Sequence, residues 1–72
     1  MLLVEKIRKE HGLSQAALAR KSEVNQASMS RIERGKEPPY PHRGQRIADA
    51  LGWGGDYTEL FEEVTDELLE RD

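Results

Sequence analysis

The chain contains no cysteine, only four aromatic residues (Phe61, Trp53, Tyr40 and Tyr57) and no apolar run approaching the length of a membrane-spanning helix. Without thiols there are no disulfides and no thiolate metal sites, and the composition fits a reducing cytoplasm. Its two histidines, His11 and His42, lie far apart and lack a His-x-x-x-His or Glu-x-x-His partner, so no zinc site is expected. The opening MLLVEKIRKE has too short an apolar stretch for a signal peptide and reads as the start of a helix. Ser14, Ser22, Ser28 and Ser30 have no plausible base nearby and no strand-turn-helix elbow. No carboxylate pair falls in an apolar setting suited to acid-base work. Neither an enzyme nor a cofactor is expected.

What the chain does have is charge, unevenly placed. Its net charge of −3 hides ten Lys and Arg against six acids in residues 1–50, a local +4. Residues 51–72 hold Arg71 alone against eight acids, a local −7. A phosphate backbone feels potential within about one Debye length, ~8–10 Å in physiological salt. A basic body with an acidic tail therefore remains compatible with nucleic acid, and should bind it less promiscuously. Seventy-two residues make one domain, which at this size buries only about 60% of its unfolded surface.

The spacing of apolar residues is helical throughout, and no window alternates like a strand. A first helix is predicted over about Leu2–Glu10, with Leu3, Val4 and Ile7 inward and Gly12 as a left-handed C-terminal cap. Ser14 and Asn25 are suited to capping two further short helices, because a short side-chain oxygen accepts from the free N–H groups of a first turn. Leu18, Ala19, Val24, Met29 and Ile32 supply their apolar faces, and Gly35 ends the second of them. Residues Lys36 to Pro41 form a stiff extended loop that its prolines keep out of helix. A fourth helix, about His42–Leu51, buries Ile47, Ala48 and Leu51 and stops at Gly52. After a Trp53-Gly54-Gly55 corner, Asp56 with Glu59 resembles a capping box. Tyr57, Leu60, Phe61, Val64 and Leu68 then recur at helical spacing. The fold class expected is all-α, with four to five helices.

The helix over 25–33 leaves an unusual outer face of Gln26, Ala27, Ser28, Ser30 and Arg31. Amide and guanidinium groups match base edges in a major groove, whereas a helix needing only solubility would carry a weave of Glu and Lys.

The segment LSQAALARKSEVNQASMSRIERG resembles the helix-turn-helix of the lambda-repressor/Cro-like (XRE-type) DNA-binding domains. The matching pieces are Leu13-Ser14-Gln15, Leu18-Ala19, Ile32-Glu33-x-Gly35, and Ile47-Ala48-x-Ala50-Leu51-Gly52. The resemblance covers roughly residues 2–61. It implies a compact lambda-repressor-like domain over 1–61 with its helix-turn-helix at helices 2 and 3, followed by an acidic helical extension over 62–72. It also implies that Gln26, Ala27 and Arg31 read bases, and that Gln15 and Ser28 touch phosphates. Ser30, Arg34, Lys36 and Arg43 are added as phosphate contacts, with Arg46 beside them on the next helix, because most protein–DNA hydrogen bonds go to the backbone. The free N–H groups beside Gln15 offer a second phosphate seat. In the family the residue matching Glu33 is generally structural, so this carboxylate is expected near Arg20 or Arg34, or on loop N–H groups after Gly35.

Three positions depart from the family pattern. Glu23 stands where the turn usually has Gly in a left-handed conformation, Ser22 where an apolar residue is usual, and Pro41 and Gly44 where Leu tends to begin the fourth helix.

The function implied is a sequence-specific regulator of transcription, of repressor type, binding double-stranded DNA as a homodimer. The alternative is an antitoxin-like or accessory interaction module that uses its acidic C-terminal segment, with Leu68 and Leu69, on a protein partner.

Overall fold

The computed structural model describes residues 1–39 and 42–64. Four α-helices succeed one another among them: α1 (Leu3–Glu10), α2 (Gln15–Ser22), α3 (Gln26–Glu33) and α4 (His42–Leu51). A single 3-10 turn, Tyr57–Phe61, closes the series. The described residues contain no strand, only an isolated antiparallel bridge between Leu2 and Glu63.

Local chemistry sets the helix starts. The Ser14 hydroxyl accepts from the Ala17 N–H at 3.0 Å, and the Asn25 side-chain oxygen accepts from Ala27 (2.8 Å) and Ser28 (3.3 Å). These four α-helices end alike. The N–H groups of Gly12, Glu23, Gly35 and Gly52 turn back onto the carbonyls of Lys9, Arg20, Ile32 and Asp49. The next residues, Leu13, Val24, Lys36 and Trp53, reach one residue further back, to Arg8, Ala19, Arg31 and Ala48. This paired closure places the first residue of each couple in the left-handed region, where a Cβ is unfavourable. Three of the four are glycines, and the fourth is Glu23, at φ 58° and ψ 41°.

The core is formed by Val4, Leu18, Ala19, Val24, Met29, Ile32, Ile47, Ala48, Leu51 and Leu60. Every inward position expected on α2, α3 and α4 is buried. On α1 it is Val4 that is fully buried, while Leu3 and Ile7 lie at the edge of the cluster. Ser22 is also buried, and its hydroxyl is satisfied by the Leu18 carbonyl at 2.7 Å. Gly44, in the first turn of α4, lies directly under the Tyr57 ring. A Cβ at Gly44 would stand 2.5 Å from Tyr57 Cδ1 and 2.9 Å from the Pro39 carbonyl oxygen.

The helix expected from Asp56 through Leu68 is not formed over residues 57–64. Asp56 does cap, accepting from the Thr58 N–H at 2.9 Å, but it opens only one 3-10 turn, and the backbone is extended at Glu62. Two contacts compete with helix here: Leu3 N–H donates to the Glu62 carbonyl at 2.9 Å, and Val64 N–H to the Met1 carbonyl at 2.8 Å. The spacing of Tyr57 and Leu60 suits a 3-10 turn as well as an α-helix, since residues i and i+3 align there. Leu68, Leu69 and the rest of the expected helical extension beyond Val64 lie outside the described residues.

Candidate nucleic-acid interface

Helix α3 divides cleanly into two faces. Met29, Ile32 and Glu33 are buried, whereas Gln26, Ala27 and Arg31 are exposed and Ser28 and Ser30 half-buried. Residues three and four apart share a helix face, so Gln26 and Ser30, and Ala27 and Arg31, form adjoining rows that open at the capped N-terminal end. The three residues expected to read bases are thus brought together on one accessible strip.

Behind that strip, α3 is anchored by a buried ionic hub. Arg8 of α1 meets Glu33 through two contacts, Nε to Oε2 at 2.8 Å and Nη2 to Oε1 at 3.2 Å. A further donor, Nη1, reaches the Leu13 carbonyl at 2.8 Å, and the Gln15 amide nitrogen donates to Glu33 Oε1 at 3.1 Å. Glu33 is therefore structural, but its partner is Arg8, not Arg20, Arg34 or a loop amide. Both members of the pair come one helical turn after a buried apolar residue, Val4 before Arg8 and Met29 before Glu33. That spacing is the sequence signal for a buried charge at each position. Gln15 is held across the start of α2 and the end of α3, with its second N–H still available.

The remaining cations differ in how far they are engaged. Arg34 is exposed and donates to Ser30 Oγ at 2.7 Å. Lys36 is exposed just past α3 and is paired with no carboxylate among the described residues. Arg31 donates through Nε to Glu37 at 2.7 Å, and Arg43 donates to the other Glu37 oxygen and to the Pro38 carbonyl at 3.0 Å. The hydrogen bond from Arg31, then that from Arg43, holds the Glu37 carboxyl below its ordinary pKa of 4.5. Arg46 is engaged at the end of α2 instead. Its Nε donates to the Ser22 carbonyl at 3.0 Å, closing the end of α2, so its guanidinium is occupied by the fold.

The arrangement presents a polar helix face, its capped N-terminus and flanking cations on one small scaffold. A family model described as Helix-turn-helix domain matches residues 3–61. The chain belongs to the helix-turn-helix domain family. No curated protein and no solved structure gives a significant match. Within the helix-turn-helix, α2 and α3 are the two helices of the motif and Glu23-Val24-Asn25 is its turn. The all-helical architecture is that of a small helix-turn-helix domain, and the family is one of DNA-binding domains. Among the described residues, no helix is long and apolar enough to cross a membrane.

Proposed function

We propose that this helix-turn-helix protein is a sequence-specific regulator of transcription that acts in the cytoplasm, as a repressor, on duplex DNA. The observation that carries the reading is the outer face of α3, where amide, methyl and guanidinium groups stand exposed opposite a fully buried apolar face. A major groove is wide enough to admit one helix, and its base edges pair with such groups. In this reading Gln26, Ala27 and Arg31 contact bases. Gln15, Ser28, Ser30, Arg34, Lys36 and Arg43 fix the register on phosphates, helped by the first-turn N–H groups of α2. Arg43 would reach phosphate with the N–H donors that Glu37 and the Pro38 carbonyl leave unengaged.

Two copies related by a two-fold axis would set two α3 helices in successive major-groove half-sites, roughly 34 Å apart. Repression needs no more than occupancy of a promoter, which a DNA-binding surface alone supplies. The resemblance of Leu13-Ser14-Gln15, Ile32-Glu33-x-Gly35 and the later Ala-Leu-Gly block to the lambda-repressor/Cro-like domains supports the same reading. Selection of bound duplexes from a random library tests it. A palindromic consensus with half-sites one helical turn apart is the expected result. Enrichment of no sequence above the starting library would reject it.

A further inference from the structure

Among the described residues, Glu37 is the one carboxylate that touches a proposed base-reading residue, and it touches it at a specific atom. Its Oε1 accepts from Arg31 Nε at 2.7 Å, while its other oxygen accepts from Arg43, whose Nη2 is held by the Pro38 carbonyl at 3.0 Å. The carboxylate is thereby fixed between α3 and α4, and it fixes Arg31 in turn. The Arg31 Nη2 also lies 3.4 Å from Ser28 Oγ, a second and weaker guide on the same guanidinium.

A guanidinium has five donors in a planar fork. With Nε occupied by Glu37, N–H donors remain on both Nη groups at the far end, even with Nη2 in its weak contact to Ser28. Two parallel N–H donors at that spacing match O6 and N7 of guanine, the commonest specific contact of arginine in the major groove. An arginine free to swing can instead settle on any nearby phosphate. We propose that Glu37 is a specificity-determining residue: it positions Arg31 for end-on recognition of a guanine and withholds it from the phosphate backbone. The inference rests on the reading of α3 as the recognition helix and adds the base that Arg31 takes and the residue that makes it do so.

A negative charge near DNA has a second consequence that must be separated from positioning. Glu37 would weaken binding to every duplex by repulsion, whether or not it orients Arg31. The two effects part in the ratio of affinities for the selected site and for the same site with its guanine replaced by adenine, because repulsion cancels from that ratio.

The test compares the full chain with the variants Arg31→Ala, Glu37→Ala and Glu37→Gln, each checked for an unchanged melting curve. The probes are the duplex selected by the parent protein and its guanine-to-adenine counterpart. The parent should prefer guanine at a position where Arg31→Ala has no preference. Glu37→Ala should lose about tenfold of that preference, the scale of one bidentate contact, while binding random duplex more tightly. Glu37→Gln, whose amide oxygen can still accept from Nε, should keep an intermediate preference. A Glu37→Ala protein with the parent's guanine preference, at whatever affinity, would overturn the inference and leave the DNA-binding reading intact. So would an Arg31→Ala protein that selects the parent consensus unchanged. A parent that enriches no sequence would reject both the inference and the function beneath it.

Discussion

Arg8 and Glu33, twenty-five positions apart, face each other in a two-point ion pair that ties α1 to the end of α3. Glu33 is 3% exposed and Arg8 9%, so water does little to screen the pair. The geometry is good, and Gln15 and the Leu13 carbonyl add one further hydrogen bond to each member of the pair. Removing one partner leaves a charge stranded in the core, which costs about 3–5 kcal/mol. Domains of this kind have a total stability of only about 5–15 kcal/mol. Arg8→Met or Glu33→Leu alone should therefore bring urea unfolding close to the start of the titration. The double variant, which leaves no unpaired charge, should recover most of the loss. Two single variants as stable as the parent would show that the pair contributes nothing.

Glu23 occupies a position that the other three helix ends give to glycine. A residue with a Cβ held at positive φ costs about 1–2 kcal/mol, and Glu23 makes no side-chain hydrogen bond or ion pair among the described residues that would offset it. Glu23→Gly should stabilise the domain by a net of roughly 0.5–1 kcal/mol, after the added flexibility of the unfolded chain. Calorimetry should show this as a rise of several degrees in melting temperature. A lower melting point would mean that the carboxylate has a local role.

Gly44 is constrained by packing instead. A Cβ built on it meets Tyr57 carbons at 2.5 and 2.6 Å, closer than real atoms approach. Gly44→Ala should cost about 1–3 kcal/mol, the usual range for overpacking, despite alanine's better helix propensity. Pairing it with Tyr57→Ala should give a double-variant loss smaller than the sum of the two, because the ring is the main obstacle. The Pro39 carbonyl at 2.9 Å keeps the rescue incomplete.

On DNA, the proposed roles of Gln26 and Lys36 predict different phenotypes. Gln26→Ala should relax base preference at one position per half-site, with a loss of about 1–3 kcal/mol at the cognate site. Lys36→Ala should weaken all sequences alike and reduce the slope of log affinity against log salt by about one unit. Anisotropy titrations at several salt concentrations distinguish the two. A uniform loss in both variants, with an unchanged consensus, would mean that the reading face is assigned wrongly.

Acidification should act on two surface carboxylates. Glu37 is lowered by Arg31 and then Arg43, and Asp56 by the Thr58 backbone N–H and hydroxyl. A lowered folded-state pKa contributes stability above the unfolded value, and that contribution is lost as pH falls through the folded one. Carboxyl chemical shifts should therefore titrate below 4.5 for Glu37 and below 3.8 for Asp56. Arg31→Ala should raise the Glu37 midpoint and leave that of Asp56 unmoved.

Features whose cause is local were legible in the sequence. Ser14 and Asn25 cap from within their own first turns, the closing glycines need only their own backbone, and the left-handed conformation of Glu23 comes from the turn that contains it. The exposed strip of Gln26, Ala27 and Arg31 is a product of helical periodicity alone. The contacts that escaped are those whose partners are remote. Nothing near Glu33 in the chain points to Arg8, and nothing near Arg46 points to the Ser22 carbonyl. The stretch after Asp56 has helical spacing, yet the backbone at Glu62 and Val64 pairs with the first three residues, a choice that only the folded N-terminus imposes. The tie between Arg31 and Glu37 likewise depends on how the loop after Gly35 returns.

The Arg46 guanidinium bridges two elements. It stands on α4 but bonds to the carbonyls of Ser22 and Glu23, where α2 ends and the motif turns. The turn cannot open while α4 keeps this grip, and α4 cannot lift off without exposing the end of α2. Opening of the two should be a single cooperative event in native-state hydrogen exchange, with the Val24 amide and the amides of α4 sharing one protection level. The two helices named by the motif are thus not a foldon by themselves, and the smallest unit that opens and closes as one includes the helix after them.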